Sequence, residues 1–140
     1  MKTQKILICL FIGFMFWGNA QDNSKISTMD FVQILNENRE EALYYFQNNW
    51  KALREMAISR GYIHSFDVLE TPASADAPFE LILITTYKNK EQYDAREEHF
   101  RELIDEKGEL DLMNDKKPGE FRKTLFNKED VTQWHSLERR

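Results

Sequence analysis

The sequence predicts an α+β domain in which two helices cover one face of a four-stranded antiparallel sheet. Two long segments have apolar residues at helical three- and four-residue spacing, and four shorter segments are rich in aromatic and β-branched residues. They follow one another as strand, helix, strand, strand, helix, strand. This order is that of two linked strand–helix–strand units.

Residues 1–20 are excluded from the fold because they have the features of a cleavable secretory signal peptide. Two lysines give a positive start, Ile6–Trp17 is an almost unbroken apolar run, and Gly18-Asn19-Ala20 is a small-x-small cleavage site. A run of this length makes about 18 Å of helix, which is too short for a hydrocarbon core of about 30 Å. We therefore expect an exported chain, periplasmic or extracellular, that begins at Gln21 and has no membrane anchor.

The exported chain is expected to be small, acidic and free of cysteine. Removing residues 1–20 leaves 120 residues, the size of one domain, and takes the net charge from −5 to −7 because Lys2 and Lys5 are lost. A chain of this charge lacks the basic face that a nucleic acid or an anionic membrane requires. Cys9 is the one cysteine, so the exported chain has neither a disulfide nor a nucleophilic cysteine.

The first half of the domain, which we place at residues 29–127, begins with a strand and a helix. Residues 21–28 are polar and predict a leader without regular structure. Phe31–Leu35 predicts a strand, although Ser27-x-x-Asp30 resembles a helix start, so a helix beginning there is an alternative. A helix is expected over about residues 38–60, ended by Gly61. Its apolar stripe consists of Ala42, Leu43, Phe46, Trp50, Leu53 and Ala57.

Two strands, a helix and a last strand follow. Tyr62–Glu70 and Phe79–Tyr87 predict strands, the helix is expected over about residues 91–107, and Phe121–Asn127 predicts the last strand before a tail at residues 128–140. The order βαββαβ is that of a ferredoxin-like fold, with both helices on one face of the sheet.

The strand Phe79–Tyr87 also predicts a homodimer. Its apolar run at residues 81–84 has no polar face, so both sides need to be covered, whereas the helices cover only one. A second copy of the same sheet is the simplest cover for the other side. Whether Ile82 or Leu83 faces that second copy is left open by the sequence.

These elements resemble the dimeric α/β-barrel superfamily, which contains antibiotic-biosynthesis monooxygenase-like, haem-degrading, NIPSNAP-like and stress-response barrel proteins. The resemblance covers roughly residues 29–127. It is carried by Trp50-x-x-Leu53 with Ala57, by Arg60-Gly61-Tyr62-Ile63, by Leu81–Lys88 and by Tyr93. It implies that two ferredoxin-like units join their sheets into a barrel. It also implies that a small-molecule pocket lies between each sheet and its helices.

The sequence carries no strong catalytic signature, since HExxH, P-loop and GxSxG motifs and cysteine–histidine clusters are all missing from it. The candidate ligand-binding residues are Gln33, Trp50, His64 and Tyr87. They are expected around a mostly apolar pocket whose walls include Phe46, Trp50 and Leu83. His64 and Tyr87 are also catalytic candidates, because a histidine in a pocket can transfer a proton. A structural histidine and a tyrosine packed at a strand end are the alternatives.

The haem-degrading relatives place a haem-ligating histidine on the second helix, which makes His99 a further catalytic candidate. The rest of that motif does not match, because this chain has Tyr87 in place of a tryptophan and at best Gln33 in place of an asparagine. His99 follows Glu97-Glu98, and a solvated surface histidine explains it better. We expect no cofactor, with haem as an alternative, and no metal site. The acids around the outer loop are too sparse for calcium.

Three functions remain open. The first is an exported small-molecule-binding or structural protein that takes a small hydrophobic ligand. The second is a cofactor-independent monooxygenase-like or isomerase-like enzyme acting on a hydrophobic aromatic compound. The third is a haem-binding or haem-degrading protein.

Overall fold

A computed structural model describes residues 24–133, so the predicted signal peptide lies outside the described residues. The four strands are β1 (Ile26–Ile34), β2 (Ser65–Glu70), β3 (Leu81–Tyr87) and β4 (Arg122–Thr132). The first helical region consists of α1 (Arg39–Tyr45), a π-helical segment (Phe46–Lys51) and α2 (Ala52–Ser59). The second consists of α3 (Lys90–Asp94) and α4 (Arg96–Lys107), and a single turn, α5 (Pro118–Phe121), precedes β4. Within the described range, no helix is both long and apolar enough to cross a membrane.

The sheet has the strand order β2-β3-β1-β4, and each neighbouring pair is antiparallel. Both helical regions pack on the same face of it. Val32 and Leu83 on that face contact Phe46 and Trp50 of the first region, and Tyr87 belongs to a second cluster with Leu103 of α4. The predicted α+β, ferredoxin-like class is confirmed by this order and this placement.

The start of β1 and the end of β4 extend further than predicted. β1 begins at Ile26, so residues 26–28 are strand rather than leader, and a helix starting at Ser27 is wrong. β4 continues to Thr132, so residues 128–132 are strand rather than tail. Both extensions have one cause. Ile26 and Ser27 pair with Thr132 and Val131, and the hydrogen bonds between the two backbones hold both segments as strand although their polar composition disfavours it.

β2 is shorter than predicted, because the turn that ends α2 continues to His64. Gly61 has the left-handed φ of 70° that glycine adopts without strain, and the Tyr62 N–H donates to the Ala57 carbonyl. The backbone of His64 reaches the sheet through one hydrogen bond to the Thr86 carbonyl, but the strand itself begins at Ser65.

The π-helical segment interrupts the helix that the sequence predicts as continuous. It contains three buried side chains, Phe46, Asn49 and Trp50. Asn49 makes four hydrogen bonds: Nδ2 donates to the carbonyls of Tyr45 (3.1 Å) and Asp111 (2.7 Å), and Oδ1 accepts from Lys107 Nζ (2.9 Å) and the Asp111 N–H (2.8 Å). The wider turn thereby fastens the loop after α4 to the first helical region.

The face of the sheet away from the helices is apolar along its centre. Strand register places Phe31 opposite Ile82 and Phe126, and Ile82 opposite Leu69, so these side chains share that face. Phe31 stacks on Phe126, with ring centroids 4.4 Å apart, and meets the edge of Phe79 at 4.9 Å. Phe126 and Leu69 are nevertheless exposed in the single chain.

Candidate functional site

Two of the cavities on the helix side of the fold are large enough for a small molecule and differ in chemistry. The first, called the Tyr87 cleft, has a volume of about 220 Å³ and lies between α4 and the sheet. Its walls include Thr28, Asp30, Arg54, Tyr87, Arg96, Phe100 and Glu129. The second, called the β2 groove, has a volume of about 850 Å³ and lies between the first helical region and β2. Its walls include Leu43, Phe46, Phe66, Val68 and Met113.

Arg54 enters the Tyr87 cleft between two aromatic rings. Its Cζ lies 4.1 Å from the ring centroid of Trp50 and 4.5 Å from that of Phe100. Trp50 precedes it by one helical turn, so a single helix face places the cation on the ring. Nε donates to Thr85 Oγ1 at 3.3 Å, which is the single hydrogen bond of this guanidinium to the described residues. Burial lowers the pKa of Arg54 to about 10, so it remains a cation at neutral pH.

Asp30 faces the same cleft from β1. Strand alternation puts it on the helix side, two residues before the buried Val32. Burial raises the pKa of the Asp30 carboxyl, and the positive charges of Arg54 and Arg122 only partly offset this. Neither a hydrogen bond nor an ion pair joins the Asp30 side chain to any residue of the described range. Its carboxyl group is therefore partly desolvated, and it lines the cleft without a partner among the described residues.

Tyr87 closes the cleft at the end of β3 and is only 3% exposed. Its ring meets Tyr93 edge-on with centroids 5.5 Å apart. Burial raises the pKa of its phenol, and the positive charge of Arg54 and a hydrogen bond with Thr28 offset this rise only in part. Tyr87 is thus held as a neutral phenol, an uncharged hydrogen-bonding group beside a cation and a carboxyl.

A third charged group of the cleft, Arg96, is already paired. Its Cζ lies 4.0 Å from the Tyr93 ring centroid, Nη1 donates to the Tyr93 carbonyl at 3.1 Å, and Nη2 contacts Glu129 Oε2 at 3.3 Å. Glu97 lies within ion-pair distance as well. Arg96 therefore shapes the rim of the cleft, while Arg54 and Asp30 keep unused hydrogen-bonding capacity.

The predicted ligand-binding residues do not come together. Tyr87 lines the cleft, whereas Gln33 lies on the opposite face of the sheet, across from Lys123 of β4. His64 is exposed in the turn before β2 and lines neither the cleft nor the groove. Trp50 is buried, meets the edge of Phe66 at 5.7 Å and lies against Arg54, and it lines a separate cavity of about 200 Å³ between the two helical regions.

The pocket expected beside Tyr87 was apolar, with Phe46, Trp50 and Leu83 as walls. These three side chains are instead packed together with Val32 and Leu81 in a core cluster. The cluster separates the polar Tyr87 cleft from the apolar β2 groove, to which Phe46 contributes.

His99 does not fit a haem ligand. Its ring stacks on Tyr62 with centroids 3.7 Å apart and planes 6° from parallel, and it lines neither cavity. Nδ1 is buried and forms no hydrogen bond with the described part of the chain. Between residues 24 and 133 there is also no group of three or more histidine, cysteine or acidic side chains placed to hold a metal ion.

Arg54 and Asp30 are the cleft residues that the sequence analysis missed. A signal for each is visible in hindsight. Arg54 lies one turn after Trp50 and between Leu53 and Ala57, on the flank of an apolar stripe. Asp30 occupies the same face of its strand as Val32. In this fold both positions place the charged group beside the core, at the wall of the cleft.

No family model matches the chain, and no curated protein sequence matches it. Among solved structures, it is similar to one described as "Putative antibiotic biosynthesis monooxygenase from Nitrosomonas europaea", with 16% sequence identity and a TM-score of 0.45, over 84% of this chain and 95% of that one. That description names one of the groups of proteins that the sequence resembles. The ferredoxin-like fold is assigned from the strand order and from the placement of both helical regions on one face of the sheet.

Proposed function

We propose that this chain is an exported small-molecule-binding protein and that the Tyr87 cleft is its binding site. The observation that supports this proposal is the pair of unsatisfied, oppositely charged groups in one cleft, Arg54 and Asp30. Charged groups that line a cleft and keep unused hydrogen-bonding capacity can pair with the polar groups of a ligand.

The cleft defines what the ligand must offer. The Trp50 and Phe100 rings lie against the guanidinium and Nε already donates to Thr85, so the two Nη atoms remain for an acceptor oxygen. Asp30 accepts a donor while it is ionised, and Tyr87 adds one neutral hydrogen bond. The volume of about 220 Å³ limits the ligand to a small polar molecule with an acceptor and a donor close together.

Fluorescence of Trp50 is the test, because a ligand on Arg54 changes the cation that lies on this ring. Trp134→Phe leaves Trp50 as the only tryptophan of the exported chain. Mandelate, benzoate, benzamide and phenol are titrated as probes. We expect saturable quenching by at least one of them and its loss in Arg54→Gln, whereas His64→Ala, outside the cleft, binds as the wild type does. Quenching by none of the four, or quenching that survives Arg54→Gln, contradicts the proposal.

A second candidate function is a cofactor-independent enzyme of the monooxygenase-like or isomerase-like kind. The observation that favours it is the raised pKa of Asp30 beside the Arg54 cation. Such a carboxylate can take a proton from a substrate carbon or hydroxyl, while the cation stabilises the oxyanion that forms. Asp30→Asn is then expected to abolish turnover, measured as oxygen uptake with a quinol, and to retain binding. Turnover that persists in Asp30→Asn excludes this role.

We also propose that the chain forms a homodimer through the apolar outer face of its sheet. In the single chain, this face carries the Phe31–Phe126 stack and the exposed Leu69, together with Ile82. A contiguous apolar surface of this kind is costly in water, and a second copy buries it against an identical surface.

Export is part of the same proposal. The intact mass of the protein recovered outside the cytoplasm is expected to correspond to a chain that begins at Gln21. A product that retains residues 1–20 in the membrane fraction contradicts it.

A further inference from the structure

The sheet brings the two unused charges of the Tyr87 cleft close together without joining them. Thr85, which accepts from Arg54 Nε at 3.3 Å, is paired with Thr28 on β1, and Asp30 lies two residues further along the same face. Thr85 and Asp30 are therefore diagonal neighbours on the floor of the cleft, with Cβ atoms about 7 Å apart. Arg54 and Asp30 influence each other electrostatically but form no ion pair.

The other charged groups around the cleft are paired or face away from it. Arg96 lies between two acids, 3.3 Å from Glu129 and 3.6 Å from Glu97, so it adds no free cation. Lys128 is opposite Met29, which alternates with Asp30 along β1, so its side chain belongs to the outer face of the sheet. Among the described residues, a ligand in the cleft thus meets one free cation and one free carboxyl group.

These two groups call for a ligand with both charges. A carboxylate accepts two parallel hydrogen bonds from a guanidinium, and the two Nη atoms of Arg54 are free to donate them. An ammonium group only donates, and the ionised carboxylate of Asp30 only accepts. A ligand with a single charge would pair with one of the two groups and leave the other without a partner in the complex.

We infer that the ligand of the Tyr87 cleft is an α-amino acid, with its carboxylate on Arg54 and its ammonium group on Asp30. This inference rests on the proposed function and adds the class of ligand. Both charged groups of an α-amino acid are attached to one carbon, so the molecule spans a gap that is wider than a direct ion pair. The volume of about 220 Å³ is below the range for drug-sized molecules and suits a single amino acid.

The test compares four probes with the same phenyl group: phenylalanine, phenyllactate, hydrocinnamate and phenethylamine. Their binding is followed by the fluorescence of Trp50 in the Trp134→Phe chain and checked by calorimetry. We expect phenylalanine to bind most tightly. Hydrocinnamate, which lacks the ammonium group, and phenethylamine, which lacks the carboxylate, should each bind about tenfold more weakly. Phenyllactate should bind about fivefold more weakly, because its hydroxyl group gives Asp30 a neutral hydrogen bond.

Two variants assign each charge of the ligand to a side chain. Asp30→Asn should reduce the preference for phenylalanine over hydrocinnamate from about tenfold to less than about threefold, and Arg54→Gln should do the same to the preference over phenethylamine. Asp67→Asn is the matched control, because it also removes an acid from a strand. Asp67 is opposite Ile84, on the outer face of the sheet, so this variant should retain both preferences.

The inference is overturned if phenylalanine binds no more tightly than hydrocinnamate and phenethylamine, or if both preferences survive in Asp30→Asn and Arg54→Gln. Binding of hydrocinnamate or benzoate without a preference for phenylalanine rejects the amino acid alone and leaves the cleft as a binding site. If none of the four phenyl probes binds, and mandelate, benzoate, benzamide and phenol fail as well, the proposed binding site is rejected together with its ligand.

Discussion

Ile82→Asp tests the assembly of the protein, because this side chain lies at the centre of the outer sheet face. Ile82 is opposite Phe31 on β1 and Leu69 on β2. Leu83, which the sequence could not distinguish from it, is 3% exposed in the core between the sheet and the first helical region. Ile82 is half-buried in the single chain, so an aspartate at this position is partly hydrated there and becomes fully buried only when two copies meet.

The expected effect on the dimer is large. Burying a carboxylate without a partner costs about 3 kcal/mol after relaxation, at the lower end of the cost of an uncompensated buried charge. A twofold axis places two such groups in the same interface, which gives about 6 kcal/mol. At about 1.4 kcal/mol per factor of ten, the dissociation constant should rise by on the order of 10⁴.

Sedimentation velocity at micromolar concentration measures this effect, with circular dichroism as the check that the variant is folded. Ile58→Asp is the matched control, since Ile58 is 44% exposed on α2 and lies away from the outer sheet face. We expect Ile82→Asp to be a folded monomer and Ile58→Asp to remain a dimer. A wild-type chain that is already monomeric at this concentration, or an unchanged dissociation constant in Ile82→Asp, refutes the reasoning.

Three further substitutions test stability and the cleft. Asn49→Ala removes four hydrogen bonds and should lower the free energy of unfolding by about 2–4 kcal/mol in urea titration; a loss below 0.5 kcal/mol would show that water replaces them. Asp30→Asn should raise the melting temperature at pH 7, and the gain should shrink as the pH falls toward the ordinary carboxyl value of 3.8. A carboxyl group whose pKa is higher in the folded than in the unfolded chain destabilises the folded chain at pH values at which it is ionised, so removing its charge stabilises the protein at pH 7. A variant that is less stable than wild type at pH 7 contradicts this reasoning. Tyr87→Phe should weaken a ligand bonded to the phenol by about 0.5–1.5 kcal/mol with little change in melting temperature, and unchanged affinity of every cleft probe argues against that bond.

The order of elements could be predicted from the sequence because the signals for it are local. The apolar stripe before Gly61 predicts a helix, and the apolar run in β3 predicts a buried strand, each from the spacing of neighbouring residues. The extent of β1 could not be predicted in this way, because Ser27 is held by its pairing with Thr86 on one side and Val131 on the other. Such partners lie far away in the sequence, and composition does not reveal them.

The site was predicted only in part, for a related reason. Tyr87 was recognised because it ends the most apolar strand of the chain. His64 was placed in a strand from its aromatic and β-branched neighbours, but the turn at Gly61 holds it outside the sheet. Arg54 and Asp30 belong to elements that meet only in the folded chain, and a lone charge beside an apolar stripe is usually on the surface.

The division of one expected pocket into two cavities limits the ligands that each can take. A molecule that filled both would have to displace Trp50, which is buried with Val32, Phe46 and Leu83 in one core cluster. The polar cleft and the apolar groove are therefore expected to bind different molecules. Trp50 nevertheless contacts a wall of each, Arg54 at 4.1 Å and Phe66 at 5.7 Å. If occupancy of one cavity changes affinity at the other, this ring is the shortest physical connection through which the change can pass.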